Sequence, residues 1–224
     1  MDFLDIARLI SRAFIEALDG GEKCLCCSEE AFSKPLCSSC EKDLLGEIGK
    51  CKRSEKSDFI DEIFPLFLYA DWKKHLLSEW KMNGNRSLSP FFADCIATAL
   101  FRLKWQNFPI VPIPPRPRKI FLNGFDQIDE LSHFLHERHK IKIKKLLKRV
   151  STVEQKHLSK AQRAENSKKS FLLKNANVGK LTTPVILLDD VITTGATLDA
   201  CAKILKDAGI KKVFAITLFS TSKF

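Results

Sequence analysis

Hydrophobic positions change period several times along the chain, and each change marks an element. Phe3, Ile6, Ile10, Phe14, Ala17 and Leu18 recur at helical spacing before Gly20 and Gly21, which predicts a short amphipathic helix over residues 1–20. Leu76, Leu77 and Trp80 follow Asp71 at the same period, predicting a helix capped by Asp71 and ended by Asn83 and Gly84. Ser89 before Pro90 reads as a helix start, since the hydroxyl can accept an early amide and proline needs no acceptor there. Phe92, Cys95, Ile96, Ala99, Leu100 and Leu103 then share one face. Residues 109–113 form a short extended stretch limited by Pro114 and Pro115, and Ile128, Leu131, Phe134 and Leu135 predict a helix over 126–139. Residues 41–58 are polar and short of apolar anchors, so they read as a linker or exposed turns.

The C-terminal third is the most regular. Val185-Ile186-Leu187-Leu188 is a buried-strand run, residues 199–208 read as a helix ended by Gly209, and residues 213–219 read as the next strand. Strand, helix, strand at this length is a βαβ unit, whose right-handed crossover makes the strands parallel neighbours. Ligands of such sheets collect beyond the carboxyl ends of the strands, where Asp189 and Asp190 fall.

A chain of 224 residues, 45% hydrophobic, builds one substantial core with a small satellite, not two full domains. The expected layout is a helix over 1–20, a cysteine-rich module and linker over 21–58, and an α/β domain over 59–224. The densest apolar stretch, residues 59–70, is broken by Asp61, Glu62 and Pro65, which argues against a membrane span. Asp2 and Asp5 argue against a signal peptide, so a cytoplasmic setting is expected. The formal charge of +10 favours a polyanion contact without naming one. Much of it lies between Arg138 and Arg149, where Lys140, Lys142, Lys144, Lys145 and Lys148 are joined by no acid. A solvated surface, nucleic acid and a phosphate-rich ligand are the three readings of that stretch.

The segment 185–197 carries the clearest chemistry. Adjacent carboxylates raise each other's cost of ionisation unless a cation or donors lie close. A ligand with vicinal hydroxyls and a magnesium ion supplies both. Gly195 permits a tight backbone approach, and the hydroxyls of Thr193, Thr194 and Thr197, with the loop amides, can donate to a phosphate. A helix beginning near Leu198 adds its positive end. Such a site has two heads, suited to a ribose 5-phosphate group. Neither a Gly-Lys-Ser/Thr phosphate loop nor a G-x-G-x-x-G fingerprint occurs here.

Cys24-Leu-Cys-Cys27 and Cys37-Ser-Ser-Cys40 are two C-x-x-C elements nine residues apart, a spacing that places four thiolates around one tetrahedral zinc ion. Redox chemistry and free thiols are the competing readings, and Cys26 adds a second possible register. With no position reserved for substrate, the zinc is structural and the module a docking element. Cys51 is an accessory thiol at most. Cys95 and Cys201 sit in apolar helical patterns and read as buried core thiols.

At these residues the sequence resembles the type I phosphoribosyltransferases and, within them, the ComF/GntX family of competence-associated proteins. Residues 188–197 are similar to their 5-phosphoribosyl-1-diphosphate (PRPP) motif. Thr152-Val-Glu-Gln155, Leu158, Arg163 and Asn166 resemble T-x-x-Q-x-x-L-x(4)-R-x-x-N, and Pro112-Ile-Pro114 with Asn123-Gly-Phe-Asp-Gln127 resembles the proline-rich strand and R-G-F-N-Q segment. The resemblance implies a mostly parallel sheet flanked by helices, with Asp189 and Asp190 on the ribose hydroxyls. It further implies that Val191, Thr193, Thr194, Gly195, Ala196 and Thr197 bind the PRPP ligand with magnesium. Arg163 is then the leading side-chain donor outside the loop, ordered by Gln155 and Asn166. Asn123 stands where the family has Arg and Asp126 where it has Asn, which removes a guanidinium donor from the diphosphate. Arg116, Arg118 and Lys119 are the cations nearest in sequence. His157 is left outside the active set.

Three functions follow from the resemblance: a phosphoribosyltransferase with an unknown acceptor, a non-catalytic PRPP or nucleotide sensor that adapts proteins through the zinc module, and a DNA-binding accessory. The implied partners are DNA or a DNA-processing helicase.

Overall fold

The structure, a computed structural model, describes residues 23–31, 34–49, 58–115, 126–149, 170–174 and 183–221. The elements are α1 (Ser38–Glu47), β1 (Glu62–Leu68), α2 (Trp72–Lys81), α3 (Leu88–Arg102), β2 (Ile110–Pro112), α4 (Gln127–His139), β3 (Leu147–Arg149), β4 (Phe171–Leu173), β5 (Val185–Ile192), α5 (Ala196–Asp207) and β6 (Val213–Ser220). Four strands form a parallel sheet in the order β1-β6-β5-β2, and β3 pairs with β4 in a separate antiparallel ribbon. The expected βαβ unit is β5-α5-β6, with Leu188 in register with Ile216. Among the described strands β1 has only β6 beside it, and an edge strand tolerates Pro65, which has no amide to donate.

Alternation along the strands divides the core into two layers. Ile186, Leu188, Ile216 and Leu218 pack with α2, α3 and α4 on one face, whereas Val185, Leu187, Val213 and Ala215 pack with α5 and the β3–β4 ribbon on the other. Trp80, Phe92 and Phe219 anchor the first layer in edge-to-face contacts, with centroids 5.1 Å apart for Trp80–Phe92 and 5.8 Å for Phe92–Phe219. Each such buried ring contributes about 1.5–3 kcal/mol relative to exposure.

Several local readings change. Residues 38–47 are helical rather than a linker: Leu44 is fully buried, and Ile48 joins the same core as the main domain. Ser89 lies inside the first turn of α3, fully buried, where it accepts from Trp80 Nε1 at 2.8 Å and donates to Glu130 Oε2 at 2.5 Å. Burial of the indole N–H requires that acceptor, and tertiary packing overrides the capping signal. Asp71 precedes α2 without a side-chain cap, whereas Asp126 caps α4 by accepting from Ile128 N at 3.0 Å. The helix expected over 1–20 lies outside the described residues. Among the described residues no helix is long and apolar enough to cross a membrane.

Candidate functional site

The sheet reverses its winding between β5 and β2. From β5 the chain passes through α5 to β6 on one side. From β2 it passes through α4 to Ile143, which bridges Ile110 in parallel on the outer edge of β2. The two crossovers run to opposite sides along opposite faces, so the carboxyl ends of β5 and β2 form the topological switch point at which open α/β sheets bind ligands. The last β2–β5 pairing is Pro112 with Leu188, closed by Ile113 N donating to Leu188 O at 3.0 Å. Beyond it β5 continues without β2, and the next two residues are Asp189 and Asp190.

β5 runs on to Ile192, so both acids lie within the strand rather than after it. Asp189 is in register with Thr217 of β6. Consecutive strand residues point to opposite faces, and the surroundings of the two acids differ accordingly. Asp190 is buried and meets Lys81, whose Nζ lies 2.5 Å from Asp190 Oδ2, on the α2–α4 face. Asp189 is half-buried, and its Oδ1 accepts the Asp190 amide at 2.9 Å. Its charge is felt by Cys201 of α5, whose thiol is pushed up by burial first and by Asp189 second. The pair is therefore two acids in two environments.

The turn after β5 is Thr193, Thr194 and Gly195, with both threonines exposed. Gly195 takes φ 77° and ψ −6° at the N-cap of α5. A β-carbon there would lie 3.7 Å from Ile192 Cδ1, so the glycine is required by left-handed backbone rather than by crowding within the protein. α5 starts at Ala196, two residues before the expected start, which puts Thr197 and Leu198 in its first turn. Amides there have no intrahelical acceptor, and the helix dipole favours an anion at the same end. The Ala196 amide meets Thr194 Oγ1 at 3.4 Å.

The structure brings Asp189, Asp190, Val191 and the 193–197 turn together on one strand and one helix end. Arg163, Gln155, Asn166, Asn123, Arg116, Arg118, Lys119 and His157 lie outside the described residues. Two cations of the same region escaped sequence reasoning. Lys81 is one. Arg149 is the other: its Nε donates to Pro114 O at 3.2 Å where β2 leaves the sheet, its guanidinium stacks 4.2 Å from the Phe171 ring centroid, and its charge reaches Cys201. Neither carries a local sequence signal, because each meets the site across the fold.

Cys24, Cys27, Cys37 and Cys40 converge, with all four sulfur atoms within 4.8 Å of one another and Cys27 Sγ 3.6 Å from Cys37 Sγ. Zinc–sulfur bonds of about 2.3 Å in a tetrahedron require sulfur separations of about 3.8 Å, so the cluster fits a structural zinc ion. Cys26 is placed as a supporting residue: its amide donates to Cys24 Sγ at 3.4 Å. Burial opposes ionisation of Cys24, but the amides of Cys37, Cys27 and Cys26 outweigh it and bring the thiol down to about 6. Arg102 Nη1 donates to Ile48 O at 3.0 Å and Lys73 pairs with Glu47, so the module is docked on the main domain. Cys95 and Cys201 are buried in the core, and Cys51 lies outside the described residues.

The basic stretch finds acids that its own sequence lacks. Arg138 and His139 meet Asp94 of α3 at 3.4 Å and 2.8 Å, and Lys145 pairs with Asp129 of α4. Lys142 and Lys144 flank Ile143 on the outer edge of β2, beside a cavity of about 430 Å³ also lined by His133 and His136.

No protein-family model matches the chain. It is similar to competence protein ComFC of Streptococcus pneumoniae, at 25% identity over 206 residues that cover 90% of each chain. It is 29% identical over 204 residues to competence protein F of Haemophilus influenzae, covering 85% of this chain and 86% of that one. Competence protein ComFC of Bacillus subtilis is 28% identical over 145 residues, 64% of this chain and 58% of the relative.

Proposed function

We propose, from the premise that this chain is a homologue of the ComF/ComFC family of competence proteins, that it binds PRPP with magnesium at the carboxyl end of β5 and serves competence, DNA uptake or DNA processing. The observation that carries the reading is the order of groups at the switch point. Two carboxylates are followed by a hydroxyl-rich turn and then by the first-turn amides of α5. Asp189 and Asp190 address the ribose hydroxyls, and Thr193, Thr194 and Thr197 with the adjoining amides receive the 5-phosphate. Hard carboxylate oxygens suit magnesium, which when bound supplies an electrostatic clamp on the diphosphate. The protein's own task is to hold sugar and leaving group in line and to present donors to developing charge. In a completed transfer the bond from C1 to pyrophosphate breaks and its electron pair leaves with pyrophosphate. An acceptor nitrogen forms the new bond to C1 and releases its proton to solvent. Arg163 is proposed as a donor to the leaving group.

Titration calorimetry tests the reading. Magnesium-dependent PRPP affinity is expected to fall by about tenfold or more in Asp189→Asn/Asp190→Asn, equivalent to about 1.4 kcal/mol, with the fold and metal content retained. Equal affinity in the two proteins would sink it.

Asn123 in place of the family Arg favours a second reading, ligand binding without turnover in a cytoplasmic adaptor. The docked cysteine module supports it, since a rigid coupling to the main domain is what an adaptor requires. Pyrophosphate release across a panel of acceptors favours transfer, and ligand-dependent affinity for a DNA-processing helicase without release favours the adaptor. The lysines along β2 support direct DNA contact, whose affinity falls steeply with salt.

A further inference from the structure

Asp190 is 7% exposed, and a carboxylate so placed stays ionised only with a partner close by. Lys81 supplies one from the last residue of α2, where the helix dipole favours a cation. Beyond Lys81 the chain turns away: Met82 is 76% exposed and Gly84 has φ 69°. The ammonium therefore reaches β5 from the end of a helix, two residues beyond the last β2–β5 pairing at Leu188. Its side chain is 19% exposed and that of Asp190 10%, so the pair is partly wetted. Asp189, one residue away on the strand, lies on the side of β5 that faces the α5 layer.

A lysine on the acid that is to grip a sugar or its metal looks contradictory as a binding site. It is consistent as a resting state. We propose that the Lys81–Asp190 pair is a charge-exchange element of the site: Lys81 neutralises Asp190 before ligand binds, a divalent cation then takes its place on the carboxylate, and the released ammonium meets an oxyanion of the same ligand. The inference rests on the PRPP reading for the identity of that ligand, but the exchange itself depends only on Lys81, Asp190 and a divalent cation. Lys81 is in this sense a ligand-binding residue of the site.

The test uses the full chain, with its zinc site loaded, and Lys81→Met. Circular dichroism and thermal melting establish that the variant folds. Lys81→Gln, which keeps a donor for Asp190, replaces it where Lys81→Met does not fold. Manganese alone is expected to bind several-fold more tightly to the variant than to the parent, because the competing cation is gone. Magnesium-PRPP is expected to bind about tenfold more weakly, because the oxyanion partner is gone, and Lys81→Arg is expected to restore part of that loss. A merely structural ion pair does not give opposite signs: disordering of Asp190 lowers both affinities. Unchanged or weaker manganese binding in the variant, or no manganese binding in either protein, overturns the exchange. Failure of the parent to bind PRPP removes the proposed ligand while leaving the manganese comparison to decide the exchange.

Discussion

Lys73 Nζ lies 2.9 Å from Glu47 Oε2, joining the end of the cysteine module's helix to the first turn of α2. The lysine side chain is 7% exposed and the glutamate 32%, so the two ends of the pair are not equivalent. Glu47→Ala strands a buried ammonium, and a loss of about 1–3 kcal/mol is expected in chemical denaturation. Lys73→Met returns the carboxylate to water and leaves an apolar stem in place, so the smaller loss is expected there. The reverse order would show that the module is held by something other than this contact.

Asp61 ties the start of β1 to the start of β6. Its Oδ2 accepts from Lys206 Nζ at 2.7 Å and from Val213 N at 2.8 Å. Burial raises its carboxyl, but Lys206 and the Val213 amide outweigh this and hold it below the ordinary range. The folded value thus lies below the unfolded one of about 3.9, so the contribution is full above that value and fades as pH falls through the folded pKa. Asp61→Asn is expected to remove this part of the acid sensitivity, seen as a flatter fall of the thermal midpoint below about pH 4. Parallel pH profiles would contradict the assignment.

If the cluster of Cys24, Cys27, Cys37 and Cys40 holds a structural metal, its removal should release this segment from its fold. Chelation or Cys40→Ser is expected to abolish about one zinc per chain and to increase amide exchange across α1, while β5 and β6 keep their protection. Unchanged amide exchange across α1 after metal loss would show that the metal is not what holds this segment folded.

What was readable from the chain follows the strength of local signals. Val185–Leu188 is an unbroken apolar run and Val213–Phe219 one interrupted only by Thr217, and both emerged as central strands. The last four residues of β5 were not readable as strand because Asp189 and Asp190 interrupt the run, although β6 pairing carries the ladder through them. β1 was obscured by Asp61, Glu62 and Pro65, all of which an edge strand accommodates. α1 shows few apolar anchors, since the cysteine cluster replaces most of what a small core would supply. In the candidate site the turn and its glycine were legible because left-handed backbone selects glycine locally. Lys81 and Arg149 were not, because their contacts join residues far apart in sequence and are set by the packing of α2 and β3 on the sheet.

The conformation of Gly195 separates two effects that a substitution at this turn would otherwise mix. With φ 77°, any residue with a β-carbon is strained, and the cost of a left-handed L-residue is about 1–2 kcal/mol. A methyl group at this position would have its nearest protein neighbour 3.7 Å away, so no packing clash adds to that cost. Gly195→Ala should therefore lose about 1–2 kcal/mol of stability in urea denaturation, and Gly195→Asn less, since asparagine tolerates this region better. Ligand approach responds to a different variable, the bulk at the turn. Asparagine is larger than alanine, so the order of the two variants should invert for PRPP affinity: Gly195→Asn is expected to bind more weakly than Gly195→Ala despite being the more stable protein. If affinity instead tracks stability across the pair, the turn influences the ligand only through folding, and the phosphate lies elsewhere.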